Sequence, residues 1–289
     1  MKFGVVFPKT EIEPEPTVIR DYAQTVEGLG YDYLLTYDHV LGANPDRPGG
    51  WQGRPYDYTV PFHEPFVLFG YLAGLTQSIR LVTGILILPQ RQTALVAKQA
   101  AQVDLLSGGR LTLGIGIGWN EVEYEALGQN FHNRGKRSEE QVVLLRELWT
   151  RPLVTLRGNY HTISDAGLNP LPVQRPIPIW FGGTADAVLR RMARLGDGWF
   201  TGGSANDTLK AKVEHLHGYL AAEGRDPQTF GIDGRLSIGR APQSGWAEEI
   251  ARWRQLGATQ VAVNTMGAGF TSLDQHLAVI ERFKTEVAG

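Results

Sequence analysis

The chain has no cysteine among its 289 residues. That absence excludes disulfides, thiolate metal sites, iron–sulfur clusters and a cysteine nucleophile. Long apolar runs are missing too. The best candidate, residues 81–88, has the length of a strand and cannot span a bilayer, so no membrane partner is expected. Nor is there an excess of charge of one sign. With 28 Lys and Arg against 30 Asp and Glu, the net charge is −2, which offers no general attraction for nucleic acid. A charged ligand must therefore be held locally. The 7 histidines are scattered, without H-E-x-x-H or comparable spacing, and no metal site is expected. Met1 to Pro8 reads directly into a strand and leaves no room for a signal peptide, so a cytoplasmic protein is expected.

Glycine (35) and proline (16) are plentiful and sit at segment ends, as many short loops require. Between them, apolar runs at 3–7, 33–35, 80–88, 111–117, 177–181, 198–201, 230–238 and 258–264 alternate with segments of helical period. Ile19, Tyr22, Val26 and Leu29 before Gly30 illustrate the pattern. Eight strand–helix units close a (β/α)8 TIM barrel, and nearly uniform apolar strands suit a parallel sheet covered on both faces. The whole chain, 1–289, reads as a single α/β domain. An open doubly wound sheet is the rival, weakened because no strand-linked G-x-G-x-x-G with a later acid is present.

Two connections are too long for turns. Residues 42–62 form a long insertion after strand 2, and 152–176 contain a small hairpin, turning at Gly158-Asn159, before strand 5. Loops after strands lie on a barrel's ligand face, so 42–62 is placed to cover a ligand; the hairpin follows a helix and belongs to the opposite face. Ser138-Glu139-Glu140-Gln141 reads as a capping box opening the helix after strand 4.

Chemistry is expected where strands end. Asp38-His39 stands just past strand 2; the imidazole can move a proton near neutral pH and the carboxylate can orient it or hold a ligand hydroxyl. A loop histidine satisfied by hydrogen bonds is the plainer alternative. Gly114-Ile115-Gly116-Ile117-Gly118-Trp119 ends strand 4, where missing side chains either permit close packing or let a flat ring or phosphate approach. Gly182-Gly183-Thr184 offers helix N-terminal amides as an anion site with Thr184 as cap, or an ordinary glycine turn. Ser107-Gly108-Gly109-Arg110 reads as a helix C-cap with an arginine beside the last carbonyls. Glu121, Glu123 and Glu125 are spaced by two, which does not gather them on one helical face, and are read as mostly solvated.

As an ordered set the motifs resemble the luciferase-like monooxygenase superfamily, in particular its deazaflavin (F420)-dependent branch. The matching blocks are Tyr37-Asp38-His39-Val40; residues 79–89; Ala97-Lys98-Gln99-Ala100 with 104–110; Leu113 to Trp119 with Glu123; Arg134-Gly135 with Glu140; and 178–183 with Gly196-Asp197-Gly198-Trp199. The resemblance implies a TIM barrel, commonly a homodimer, holding a flavin-type ring against a bulge in strand 3. There it implies a non-prolyl cis bond, matched to Gly84–Ile85. It assigns the cofactor phosphate region to Ile117, Gly118, Gly182, Gly183 and Thr184. It sets Asp38 against the cofactor, Trp119 beside the ring and His39 next to the reacting carbon. Some deazaflavin dehydrogenases carry a glutamate where this chain has Trp119, which points away from sugar phosphates and toward an apolar or aromatic substrate pocket. Arg47, Arg54 or Arg91 could meet a polyglutamate tail. The implied activity is hydride transfer between F420 and a small organic substrate, with His39 as proton donor or acceptor. The alternatives are an FMN-dependent monooxygenase fed by a partner flavin reductase and a non-catalytic flavin-binding protein.

Overall fold

The computed structural model describes residues 1–51, 53–240 and 242–288. Ten strands occur in chain order: β1 Lys2–Val6, β2 Tyr33–Tyr37, β3 Arg80–Ile87, β4 Leu111–Gly116, β5 Val154–Arg157, β6 Thr162–Ala166, β7 Ile179–Gly182, β8 Gly198–Phe200, β9 Gly231–Ser237 and β10 Gln260–Asn264. Eight of them close a parallel barrel in the order β1-β10-β9-β8-β7-β4-β3-β2, while β5 and β6 pair apart as an antiparallel hairpin. The helices are α1 Pro16–Gly28, α2 Pro65–Ala73, α3 Thr93–Leu106, α4 Glu121–Ala126, α5 Arg134–Thr150, α6 Asp186–Leu195, α7 Asp207–Ala222, α8 Trp246–Gln255 and α9 Leu273–Phe283. The expected (β/α)8 barrel is the observed fold.

Each barrel strand buries most of both faces, which is why its sequence does not alternate. Outward residues such as Phe3, Leu34, Leu81 and Leu111 join Tyr22, Phe69, Val103 and Trp149 of the helices in one shell. Inward residues Val6, Tyr33, Leu35, Val82, Phe200 and Ala262 fill the lumen. Among them sits a polar group: Asp233 accepts from Tyr33 Oη at 2.5 Å and from Gln260 Nε2 at 2.9 Å.

The bulge expected in strand 3 is present. Thr36 pairs with Thr83 but Tyr37 pairs with Ile85, so Gly84 is the extra residue. A Cβ on Gly84 would lie 2.6 Å from Leu35 Cδ2 and 3.0 Å from the Thr36 carbonyl oxygen, so only glycine fits between the strands. The cis bond expected here is not found. The cis peptides among the described residues are Asn169–Pro170 and Arg175–Pro176, both prolyl, and Gly84–Ile85 is trans. The extra glycine alone shifts the register, without a bond geometry that proline-free peptides disfavour.

Other local expectations are also corrected. α5 opens at Arg134 behind a 3₁₀ turn, so Ser138 is buried inside the helix rather than capping it. Its Gln141 instead donates to the carbonyls of Leu88 and Arg91, tethering the loop after β3. α6 begins two residues beyond Thr184, with Ala185 at its N-cap, and the Thr184 hydroxyl does not cap it. The hairpin springs from the lower face as expected, yet its tip climbs the outside of the barrel. Glu140 receives the amides of Asn159 and Tyr160, and His161 bonds Thr93 Oγ1, in the first turn of α3, at 2.7 Å. Arg110 does hold helix-end carbonyls, those of Ser107, Ala73 and Thr76, as its place in the C-cap implied.

The tightest backbone approach in the barrel is at Gly114, where a Cβ would stand 1.9 Å from the Thr83 carbonyl oxygen. Backbone cannot yield as a side-chain tip does. Gly114→Ala should therefore destabilise by about 3 kcal/mol, toward the upper end of overpacking costs, measured by urea unfolding; a loss under about 1 kcal/mol would contradict this geometry.

Candidate active site

The strands' carboxyl ends open into a cavity of about 740 Å³ lined by Tyr37 of β2, Gly84 and Ile85 of β3, Gly182 to Thr184 after β7, Phe200 to Gly203 at the end of β8, and residues of β9, β10 and the loops that follow them. Its charged lining residues are Arg235 and Arg240, and no carboxylate lines it. The glycines make its walls. A Cβ on Gly182 would meet Ile85 Cγ2 at 2.5 Å, and Gly183 has φ +114°, so backbone stands bare at the surface.

Beside this cavity lies a compact polar cluster under aromatic cover. Glu123, in the first turn of α4, is fully buried. Its Oε1 accepts from the amides of Val40 at 2.7 Å and Leu41 at 3.1 Å. Its Oε2 accepts from Gln90 Nε2 at 3.2 Å and Tyr56 Oη at 3.2 Å, and lies 3.2 Å from His39 Nδ1. Burial by itself would raise this carboxyl, but the His39 ring, the Leu41 amide and Gln90 together hold it below the ordinary glutamate value. It stays ionised and orients His39 through Nδ1. Among the described residues the hydrogen bonds of the His39 ring all run through Nδ1, and Nε2 makes none. Tyr56 Oη also stands 2.6 Å from Nδ1 and takes the Asn120 amide at 2.7 Å; with Nδ1 itself protonated, the phenol proton goes to the Glu123 carboxylate. Burial holds this phenol well above the ordinary tyrosine range.

The segment 42–62 supplies the cover. Tyr56 packs against His39 at a 37° tilt with centroids 3.9 Å apart, Phe62 meets its edge at 4.9 Å, and Trp51 stacks on Trp119 at 5.6 Å. Lys9, just beyond β1, is also buried, with Nζ donating to the Tyr37 carbonyl at 2.7 Å and lying 3.7 Å above the Phe62 ring. The described residues contain no cluster of three His, Asp or Glu able to hold a metal, and no described helix is long and apolar enough to cross a membrane.

A family model for luciferase-like monooxygenases matches residues 1–282. The chain belongs to this family. It is an oxidoreductase. A curated, uncharacterised relative from Mycobacterium tuberculosis is 32% identical over 281 residues, covering 92% of each chain. An FMNH₂-dependent dimethylsulfone monooxygenase from Pseudomonas putida is 33% identical over 210 residues, 71% of this chain and 54% of that protein. The structure of coenzyme F420-dependent tetrahydromethanopterin reductase from Methanopyrus kandleri superposes with a TM-score of 0.77 at 15% identity, covering 99% and 98% of the two chains.

Set out residue by residue, the family-matched positions fall into two groups. Gly84, Ile85, Gly182, Gly183 and Thr184 share the cavity wall, whereas Asp38, His39, Ile117, Gly118 and Trp119 stand outside its lining. Asp38 is buried, with one oxygen on Arg91 at 2.8 Å and the other on the Ile87 amide at 3.0 Å. Arg91 is thereby engaged, since it also binds Glu64 at 2.7 Å. Ile117 gives its carbonyl to Tyr124, and Gly118 turns at φ +63°. Trp119 packs on Trp51 outside the cavity, whose lining combines the apolar side chains of Tyr37, Ile85, Phe200 and Met266 with two arginines.

The most consequential correction is Glu123, read as solvated from its spacing. Spacing along a helix describes only that helix, and the partners here come from three other segments. Asn120-x-x-Glu123 held a usable signal: Asn120 caps α4 through the amides of Val122 and Glu123, fixing Glu123 in the first turn directly after a strand end. Lys9, Tyr56 and Gln90 carry no local pattern that marks them.

Burial pulls the Lys9 amine from 10.5 down to about 7, against a smaller upward pull from Asp38. The unfolded chain holds this proton to much higher pH than the folded one. Stability should accordingly rise as pH climbs from about 7 to 10.5, with a slope approaching about 1.4 kcal/mol per pH unit from this group. Unfolding free energies of Lys9→Met, measured across that window, should lose the slope; an unchanged slope would show that another group causes it.

Proposed function

We propose that this oxidoreductase moves a hydride between a deazaflavin of the F420 type and a small organic substrate, with His39 as proton donor or acceptor. The observation that carries this reading is the buried Glu123 carboxylate holding His39 at Nδ1 while Nε2 is left without a protein partner at the barrel's carboxyl end. Ionised Glu123 accepts from Nδ1 and so fixes the tautomer in which Nε2 of the neutral ring is bare. Nε2 can then take a proton, and the protonated ring can return it. The aromatic cover formed by Tyr56, Phe62 and Trp119 keeps bulk water from the imidazole.

The cavity suits a flat ring with an anionic tail. Gly84 and Ile85 would hold the ring face, where the bulge removes side chains, and the bare backbone of Gly182 and Gly183 with the Thr184 hydroxyl would take a phosphate. Asp38 would act through the loop it anchors at Ile87, and Ile117, Gly118 and Trp119 would form the neighbouring rim. Bound there, a deazaflavin supplies the electron pair as hydride.

A second reading, an FMN-dependent monooxygenase receiving reduced flavin from a partner reductase, is favoured by the 33% identity to the Pseudomonas putida enzyme. In either case a homodimer is supported by exposed apolar residues on two helices packed against each other: Val67 and Tyr71 on α2 and Leu95 on α3.

Calorimetric titration of the purified chain with F420 and with FMN separates the two readings. Tight binding of FMN with none of F420 would overturn the first. His39→Ala should keep cofactor affinity within about tenfold, or 1.4 kcal/mol, and abolish turnover; full activity in that variant would remove His39 from the chemistry. By analytical ultracentrifugation, Val67→Glu with Leu95→Glu should sediment as a monomer where the parent is a dimer.

A further inference from the structure

β9 sends three successive inward residues into the barrel: Asp233, Arg235 and Ser237. The lowest, Asp233, is taken up by Tyr33 and Gln260. Arg235, one layer higher, lies in the cavity wall with its side chain only 9% exposed. Its Nη1 donates to the Tyr37 hydroxyl, Nη2 is 3.7 Å from Asp233, and buried Nε has no partner. Burial also pushes the Asp233 carboxyl above its ordinary value. The guanidinium is thus a nearly buried cation whose one nearby carboxylate is loosely placed and engaged elsewhere. Such a charge is costly to leave uncompensated.

The same wall holds a second cation. Arg240, after β9, is exposed and its side chain makes no hydrogen bond or ion pair among the described residues. Ser237 and Asn264 stand between the two levels as neutral polar lining. A smaller adjoining cavity of about 290 Å³ shares both arginines; its Glu249 is paired with Arg252. Around the barrel, β9 is four strands from β3 in either direction, so both arginines are rooted opposite the Gly84 bulge; Arg240 stays on that rim, while the Arg235 guanidinium reaches across to Tyr37, which pairs with Ile85 beside the bulge. They also lie two strands from Gly182 to Thr184, which follow β7.

We propose that Arg235 and Arg240 form an oxyanion subsite that selects a substrate bearing a carboxylate or phosphate group, held across the barrel mouth from the cofactor ring. This deepens the redox reading above and rests on it for the ring's position. Arginine suits the role because its planar fork of donors matches a carboxylate or phosphate edge. The buried guanidinium would fix the anion's depth, while the exposed one would close over it from the rim.

The probe is inorganic phosphate, added to the full chain at constant ionic strength and followed by thermal melting. The melting temperature should rise and saturate, as linkage requires of a ligand bound by the folded state alone. The apparent dissociation constant should weaken at least tenfold in Arg240→Ala and in Arg235→Lys. Arg235→Lys keeps a cation near Asp233, and circular dichroism verifies that each variant is folded. Because Arg240 is exposed, its variant tests the subsite even if Arg235 variants fail to fold. The titration is then repeated with the chain saturated by whichever of F420 or FMN it binds. Phosphate affinity should remain within about threefold, since the ring and the oxyanion occupy opposite walls. Absence of saturation, unchanged affinity in Arg240→Ala, or competition with the cofactor would each overturn the proposal, the last by assigning the arginines to the cofactor's own phosphate. Cofactor binding without phosphate binding would fail this inference alone. Saturable, arginine-dependent phosphate binding by a chain that takes neither cofactor would fail the redox reading and leave the oxyanion subsite standing.

Discussion

A carboxylate can stay ionised in a protein interior only when its lone pairs are met by donors, and Glu123 meets that demand by drawing on the chain from several directions. The amides of Val40 and Leu41 come from the segment after β2, Gln90 from the segment after β3, and Tyr56 from the long insertion. Removing the charge would leave two backbone amides, a side-chain amide and a phenol facing a weaker acceptor. The loops at this end of the barrel are therefore joined through one residue. The histidine held by that residue inherits its position from the whole assembly rather than from its own rotamer.

A second set of bonds supports the first from behind. Asp38 fixes the start of the loop that carries His39 by binding the Ile87 amide and Arg91. Gln141 of α5 holds the carbonyls of Leu88 and Arg91, and the hairpin reaches Thr93 through His161. Asp38 and His39 are neighbours in sequence with different duties: one is sealed into the scaffold, and the other keeps an unpartnered ring nitrogen. Asp38 thus acts on the site through the backbone that it anchors at Ile87.

The barrel was readable from the sequence because its determinants are local and repeated. A strand buried on both faces is continuously apolar, and a helix over it shows period 3.6, so eight such units declare themselves without tertiary knowledge. The bulge was legible through the family blocks, and Gly84 has the close contacts that such a position demands. The site was less legible. Glu123, Tyr56 and Lys9 lie in different segments and meet only when the barrel closes, while Arg235 sits in a strand whose pattern reports burial but not its neighbours. Ser138 and Thr184 each match a cap locally, but α5 already opens at Arg134 and α6 only at Asp186, so neither stands at a helix start.

Among its described residues the insertion at 42–62 has neither helix nor strand, and its inward attachments include Trp51 and Arg54 on Trp119, Tyr56 on His39, Asn120 and Glu123, and Phe62 beneath Lys9. Between those attachments the chain runs through exposed residues such as Asn44, Pro48, Gly49, Gly50 and Tyr58. Lengthening or replacing such a stretch would cost little loop-closure entropy and disturb no barrel hydrogen bond. Selection could thus reshape the roof over the imidazole in small increments while the Glu123–His39 pair beneath it stayed fixed. This arrangement would let one redox scaffold diversify among substrates without rebuilding its floor.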